Sequence, residues 1–219
     1  MSIIASVYLK EGIIMSADSR ITGTTTYADG TKDRHTLSDN SQKLFLIKNN
    51  SIGISSCGDA TIDGKTVGDF IRIFEQEQVK EEDTVKDVAE KLNEFTKDKY
   101  TGSVEFHICG YSDEIRYVYR IINDTVYMSL DDTNLNECGV IWNGETKAIS
   151  NILTGDNAIG IEWDFMQLKD GIDFADFLID FTCKIHRFQT GIGTCGGAVD
   201  ILLMTKGYSK WIRHKVFNP

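Results

Sequence analysis

Two short β-type runs open the chain, Ile3 to Leu9 and Gly12 to Ala17. They meet at Lys10-Glu11-Gly12, which reads as a hairpin with glycine where the turn wants it. A polar stretch from Thr22 to Ser41, with Asp29-Gly30 as a turn, reads as a long exposed loop. Lys43 to Ile47 and Ser51 to Ser56 then suggest a second hairpin across Asn49-Asn50. After it the period lengthens to that of helices. Val67, Phe70, Ile71 and Phe74 share one helical face, and Val85, Val88, Ala89, Leu92 and Phe95 share another, with Asp83 or Thr84 as the cap.

Strands return at Val104 to Tyr111, Ile115 to Ile121, Thr125 to Ser129 and Gly139 to Trp142, with a tight turn at Asn123-Asp124. Glu145 to Leu153 reads as a short helix. A longer helix carries Phe174, Phe177, Leu178, Phe181 and Ile185 on one face, and a last hairpin joins Ala198–Thr205 to Ser209–His214. Hairpin loops imply antiparallel pairing, because parallel neighbours need long crossovers. Two stacked antiparallel sheets with a helix pair outside each would bury every apolar face, so the expected fold is α+β, a four-layer αββα sandwich. The absence of a composition break over 219 residues, whose one proline is Pro219, makes residues 1–219 a single expected domain.

A net charge of -10 argues against general nucleic-acid binding, which needs a basic face. The apolar runs are too short to span a bilayer. Five cysteines without a CxxC pair or a signal stretch suggest reduced thiols in the cytoplasm.

The candidate chemistry begins at Met1-Ser2. Ser2 is small, which makes Met1 a substrate for methionine aminopeptidase. Removal of Met1 would leave a hydroxyl nucleophile and a free α-amine on one residue. That amine titrates at about 7.7–8.0, where it can act as a base near neutral pH.

The motifs downstream carry a resemblance. Ser2-Ile3-Ile4-Ala5-Ser6-Val7, Gly12-Ile13-Ile14-Met15-Ser16-Ala17-Asp18-Ser19-Arg20, Lys43 opening the next strand, Ser55-Ser56-Cys57-Gly58-Asp59-Ala60 and Cys195-Gly196-Gly197-Ala198 follow one another in order. Together they resemble proteasome β-type subunits and the related bacterial N-terminal-nucleophile peptidases. The resemblance implies Ser2 as nucleophile, Lys43 lowering the energy of the alkoxide, and Asp18 holding Lys43 charged and oriented. It implies oxyanion donors near Cys57 and Gly58, support from Arg20, Asn143 and Cys195, a side-chain pocket lined by Ser55, and a peptide-pairing edge at Ile21 and Thr22. It further implies a homo-oligomeric ring, an AAA+ unfoldase partner and peptide or unfolded-protein substrates, with no cofactor or metal. Serine stands where the family usually has threonine, Cys57 replaces a glycine, and Asn143 and Cys195 replace supporting serines. The altered support leaves two alternatives, a non-catalytic structural subunit and a small-molecule amidase.

Other signals fall away. Gly58 to Thr66 resembles a phosphate loop but has five residues between its glycines where the motif needs four. Cys183 and His186 lie at a possible ligand spacing without a second pair. No Gly-x-Ser-x-Gly elbow is present. His107 reads as a strand surface residue, and His35 and His214 read as exposed.

Overall fold

The computed structural model describes residues 2–156 and 158–215; Met1 and Pro219, on which two expectations fall, lie outside them. The chain runs β1 (Ile3–Leu9), β2 (Gly12–Ala17), β3 (Ile21–Thr26), β4 (Lys32–Ser38), β5 (Leu44–Ile47), β6 (Ile52–Gly58), β7 (Thr61–Ile62), β8 (Lys65–Thr66), α1 (Val67–Gln78) and α2 (Val85–Lys99). It continues through β9 (Val104–Ser112), β10 (Ile115–Ile122), β11 (Thr125–Leu130), β12 (Gly139–Gly144), α3 (Lys147–Leu153), α4 (Leu168–Phe188), β13 (Asp200–Met204) and β14 (Ser209–Arg213). The result is a mixed α+β fold with antiparallel sheets.

One five-stranded sheet is ordered β12-β1-β2-β13-β14 and the other β11-β10-β9-β6-β5. The inward faces of the two sheets share a core that includes Ile4, Met15, Leu44, Cys57, Cys109, Val118, Leu202 and Met204. The opposite face of the second sheet packs on α1 and α2 through Ile54, Phe70, Phe74, Leu92, Phe95 and Phe106. Phe95 meets Phe70 and Phe74 at ring separations of 5.1 and 5.6 Å. Burying each such ring is worth about 1.5–3 kcal/mol. Ile3, Ala5, Val7 and Ile14 of the first sheet pack on Ile149 of α3 and on Ala175, Leu178 and Ile179 of α4.

Local signals set the helix starts. Thr84 and Asp87 form a reciprocal capping box at α2, and Thr66 accepts from the Asp69 amide to cap α1. The glycine-rich segment before Thr66 is therefore spent on the β7–β8 turn and this cap.

Four expectations need correction. Residues 22–41 are not a loop: β3 and β4 pair as a separate hairpin, from Ile21↔Ser38 to Thr26↔Lys32. Its threonines and charges stay exposed on both faces, so no period-2 apolar signal marks it. The buried stripe of α4 is Gly171, Ala175, Leu178, Ile179 and Thr182. Phe174, Phe177 and Phe181 instead form a side row of ring contacts at 6.3 and 5.5 Å, with Phe177 44% exposed. Gly171 explains the shift, since a Cβ there would stand 2.7 Å from Leu9 and 2.9 Å from Ile14; close approach of α4 to the sheet requires small residues. His214 is buried against Trp211, with ring centroids 4.2 Å apart. His107 is fully buried between the sheets.

Candidate active site

The β1–β2 hairpin brings Ser2 and Asp18 to the same sheet end. Ile4 pairs with Ala17, and one step further the Asp18 amide donates to the Ile3 carbonyl at 3.2 Å. The Ile3 amide donates back to Asp18 Oδ1 at 3.1 Å. Lys43 arrives from the start of β5, where its carbonyl accepts from the Ser56 amide at 2.9 Å. Lys43 Nζ then lies 2.7 Å from Asp18 Oδ1 and donates to the Arg20 carbonyl at 2.5 Å. Asp18 Oδ2 accepts from the amides of Arg20 and Gly196 at 3.1 and 2.9 Å. A fully buried carboxylate thus meets one ammonium and three N–H groups, the dense pairing that a buried charge requires.

Beside this pair opens a cleft of about 110 Å³. Its walls include Ser2, Arg20, Ile21, Thr22, Lys43, Cys57 and Gly58, together with Ser41, Gln42, Asp59, Ala60 and Val67. Ser2 is itself 5% exposed. Its carbonyl accepts from the Glu145 amide at 2.8 Å, and Gly144 passes so close that a Cβ would stand 1.9 Å from that oxygen. Arg20 is held outward by a two-bond fork to Asp39, at 2.7 and 2.9 Å, which lowers the Asp39 pKa.

Strand alternation resolves the two glycine-corner residues. The Ser56 amide faces β5, so the Cys57 amide faces β9 and the Gly58 amide faces the β5 side again, beyond the start of β5 at Leu44. Gly58 sits at φ +104°, and a Cβ there would be 2.2 Å from the Ser103 carbonyl. Only glycine makes this corner.

Three expected site residues lie elsewhere. Ser55 is fully buried on the face of β6 turned to the other sheet, its hydroxyl without a hydrogen-bond partner among the described residues, and does not line the cleft. It shares that face with Cys57 two residues on, which the alternation of strand side chains requires. Cys195 is buried in the α4 cluster beside Cys183; hydrogen bonding with that thiol and burial raise its pKa. It lines a separate hollow with His186, Arg187 and Gly197. Asn143 faces His107 and Glu105, which use both ends of its amide.

That last contact belongs to a chain absent from the sequence reading. Ser6 Oγ lies 2.9 Å from His107 Nδ1, His107 Nε2 lies 2.8 Å from Asn143 Oδ1, and Asn143 Nδ2 donates to Glu105 Oε2 at 2.8 Å. The Cys57 thiol approaches the same carboxylate oxygen at 3.6 Å. Glu105 can only accept from the Asn143 NH₂, so Asn143 Oδ1 must face the histidine. His107 therefore carries its proton on Nε2, and Nδ1 accepts from Ser6. Burial lowers the His107 pKa to about 4, which keeps the ring neutral. Burial, with Glu105 next, pushes the Cys57 thiol well above its usual value, so it is no thiolate nucleophile. The alternation of Glu105, His107 and Cys109 was visible in β9, but it signals an outward face only where a sheet has one wet side.

Among the described residues no group of three or more His, Cys, Asp or Glu side chains could hold a metal ion. No helix of the described residues is long and apolar enough to cross a membrane.

Comparison with known proteins limits the resemblance seen in the sequence. No family model matches the chain, and no curated protein matches it. Among solved structures it is similar to "Anbu (Gly-1) mutant from Hyphomicrobium sp. strain MC1", with a TM-score of 0.66 and 15% identity over 97% of this chain and 87% of that one. The likeness is one of fold. Membership of the proteasome β-type family or its bacterial relatives, expected from the ordered motifs, is therefore corrected: at this identity no family assignment stands.

Proposed function

We propose that this chain is an N-terminal-nucleophile amide hydrolase on a four-layer αββα scaffold, with Ser2 as the nucleophile once Met1 is removed. The observation that carries the reading is the buried Lys43–Asp18 pair at the wall of a cleft that Ser2 also lines. Ser2 Oγ attacks the substrate carbonyl and its own α-amine takes the proton. Lys43 favours the developing alkoxide, while Asp18 and the Arg20 carbonyl fix where its ammonium points. The Gly58 N–H, unused by β5, is the candidate donor to the oxyanion, a role worth roughly 3–4 kcal/mol. The α-ammonium passes that proton to the leaving nitrogen as the C–N bond breaks, and water, deprotonated by the freed α-amine, then attacks the acyl ester, the same proton returning to Ser2 Oγ as the acid product leaves.

Peptides are the favoured substrates, lying extended along Ile21 and Thr22, whose strand projects from the cleft. Assembly into a homo-oligomeric ring, fed by an AAA+ unfoldase, belongs to the same proposal. Phe165 and Phe188, 82% and 78% exposed, support a partnered surface.

The test is intact mass of untagged protein followed by labelling with a β-lactone probe. A mass lacking methionine, with the adduct mapped to Ser2 and lost in Ser2→Ala, is expected. Retained methionine together with no adduct overturns the hydrolase reading in favour of a structural role.

A further inference from the structure

Glu105 occupies a joint between the two sheets. Its Oε2 accepts from Asn143 on β12, at 2.8 Å, and from the Cys57 thiol on β6, at 3.6 Å. Each donor sits next to one half of the proposed chemistry. Two residues beyond Asn143, the Glu145 amide holds the Ser2 carbonyl. One residue beyond Cys57 stands Gly58, whose amide is turned past the end of β5. The strands β12 and β6 belong to different sheets and share no backbone ladder. Cys57 and Glu105 stand opposite each other in the β6–β9 ladder, so backbone pairing holds the β6 side and the Asn143–Glu105 bond spans the gap to β12.

We propose that Glu105 is a positioning residue that fixes the separation between Ser2 and the Gly58 N–H, by clamping the ends of β12 and β6 through one carboxylate oxygen. This rests on the hydrolase reading for its purpose, but the clamp itself does not. His107 completes the device. It is neutral and spends its Nε2 proton on Asn143, which turns the amide donor of Asn143 to Glu105; Ser6 Oγ, in turn, occupies its other nitrogen. Every donor in the chain points toward the Glu105 side chain, so each hydrogen bond orients the next. The Gly58 corner is further tied to the start of β9, since the Asp59 amide donates to the Ser103 carbonyl at 2.9 Å. Loss of the clamp thus frees a spacing and leaves both strands intact.

Three variants separate the clamp from a general stabilising role. Glu105→Ala removes both bonds, Glu105→Gln keeps an acceptor oxygen for both donors, and Cys57→Ala removes the β6 arm alone. Amide hydrogen exchange on the folded protein reads the joint directly. Glu105→Ala is expected to speed exchange at the hydrogen-bonded amides of Asp59 and Glu145 on the order of ten-fold, Cys57→Ala at Asp59 only, and Glu105→Gln at neither. In β-lactone labelling, Glu105→Ala is expected to lower the maximal acylation rate at unchanged half-saturating probe concentration, with Glu105→Gln restoring it. A wild-type protein that does not label sinks the hydrolase reading while the exchange pattern still tests the clamp. Unchanged exchange at both sites in Glu105→Ala, or a uniform rise across both sheets, overturns the clamp. If Glu105→Ala does not fold, the Cys57→Ala and Glu105→Gln pair decides: any pattern at Asp59 other than a rise in Cys57→Ala alone overturns it.

Discussion

Lys43 Nζ and Asp18 Oδ1 lie 2.7 Å apart with side-chain exposures of 7% and 0%. Neither charge can be removed alone without stranding the other in a medium that solvates it poorly. Lys43→Met is therefore expected to cost about 3–5 kcal/mol in denaturant unfolding, and Lys43→Met with Asp18→Asn to recover much of that. Labelling of Ser2 is expected to fall ~100-fold or more in both. Recovery of labelling in the double variant would show that the pair serves the fold and nothing else.

The neutral His107 makes stability depend on pH. Its pKa falls from 6.5 to about 4 on folding, so between these values the unfolded chain binds the proton and the native one does not. The stabilisation is present above pH 6.5 and is lost as pH drops toward 4, by on the order of 3 kcal/mol in total. Unfolding free energies measured across this window are expected to rise with pH. His107→Gln, which keeps a donor toward Asn143, should flatten that part of the curve.

Backbone crowding at the nucleophile gives a sharper contrast. A Cβ at Gly144, where φ is +99°, would stand 1.9 Å from the Ser2 carbonyl, while one at Gly160 would meet nothing within 4 Å. Gly144→Ala is expected to destabilise by about 2 kcal/mol or more and to displace Ser2, read as lost labelling. Gly160→Ala should stay within about 0.5 kcal/mol of the parent. Equal effects at both positions would remove the case for a tight Ser2–Gly144 approach.

The face that α4 buries can be tested in the same way. Leu178 is fully buried and Phe177, its neighbour, is 44% exposed. Leu178→Ala is expected to cost about 2–5 kcal/mol and Phe177→Ala far less in the isolated chain. A larger loss for Phe177→Ala would mean that the phenylalanine row is covered by a partner.

The sequence by itself determined the elements whose signals are local. The β1–β2 hairpin and the apolar faces of α1 and α2 sit where alternation and helical period placed them, and the α2 cap, left open between Asp83 and Thr84, is Thr84. Ser2, Asp18, Lys43 and Gly58 each stand at the end of a strand recognisable on its own, but their grouping was only what the resemblance implied, and it is the sheet pairing that brings them together. The polar hairpin of residues 21–38 escaped because neither of its faces is buried, and the α4 stripe because glycine and alanine carry little hydrophobic signal. Only the tertiary structure decided what the polar residues of the middle strands do. Stacking one sheet on the other buries a face that, in sequence, looks like a surface, and a buried polar side chain must then find its partner across the gap. His107, Asn143 and Glu105 lie far apart in the chain, and their contact exists only because β9 and β12 are brought face to face.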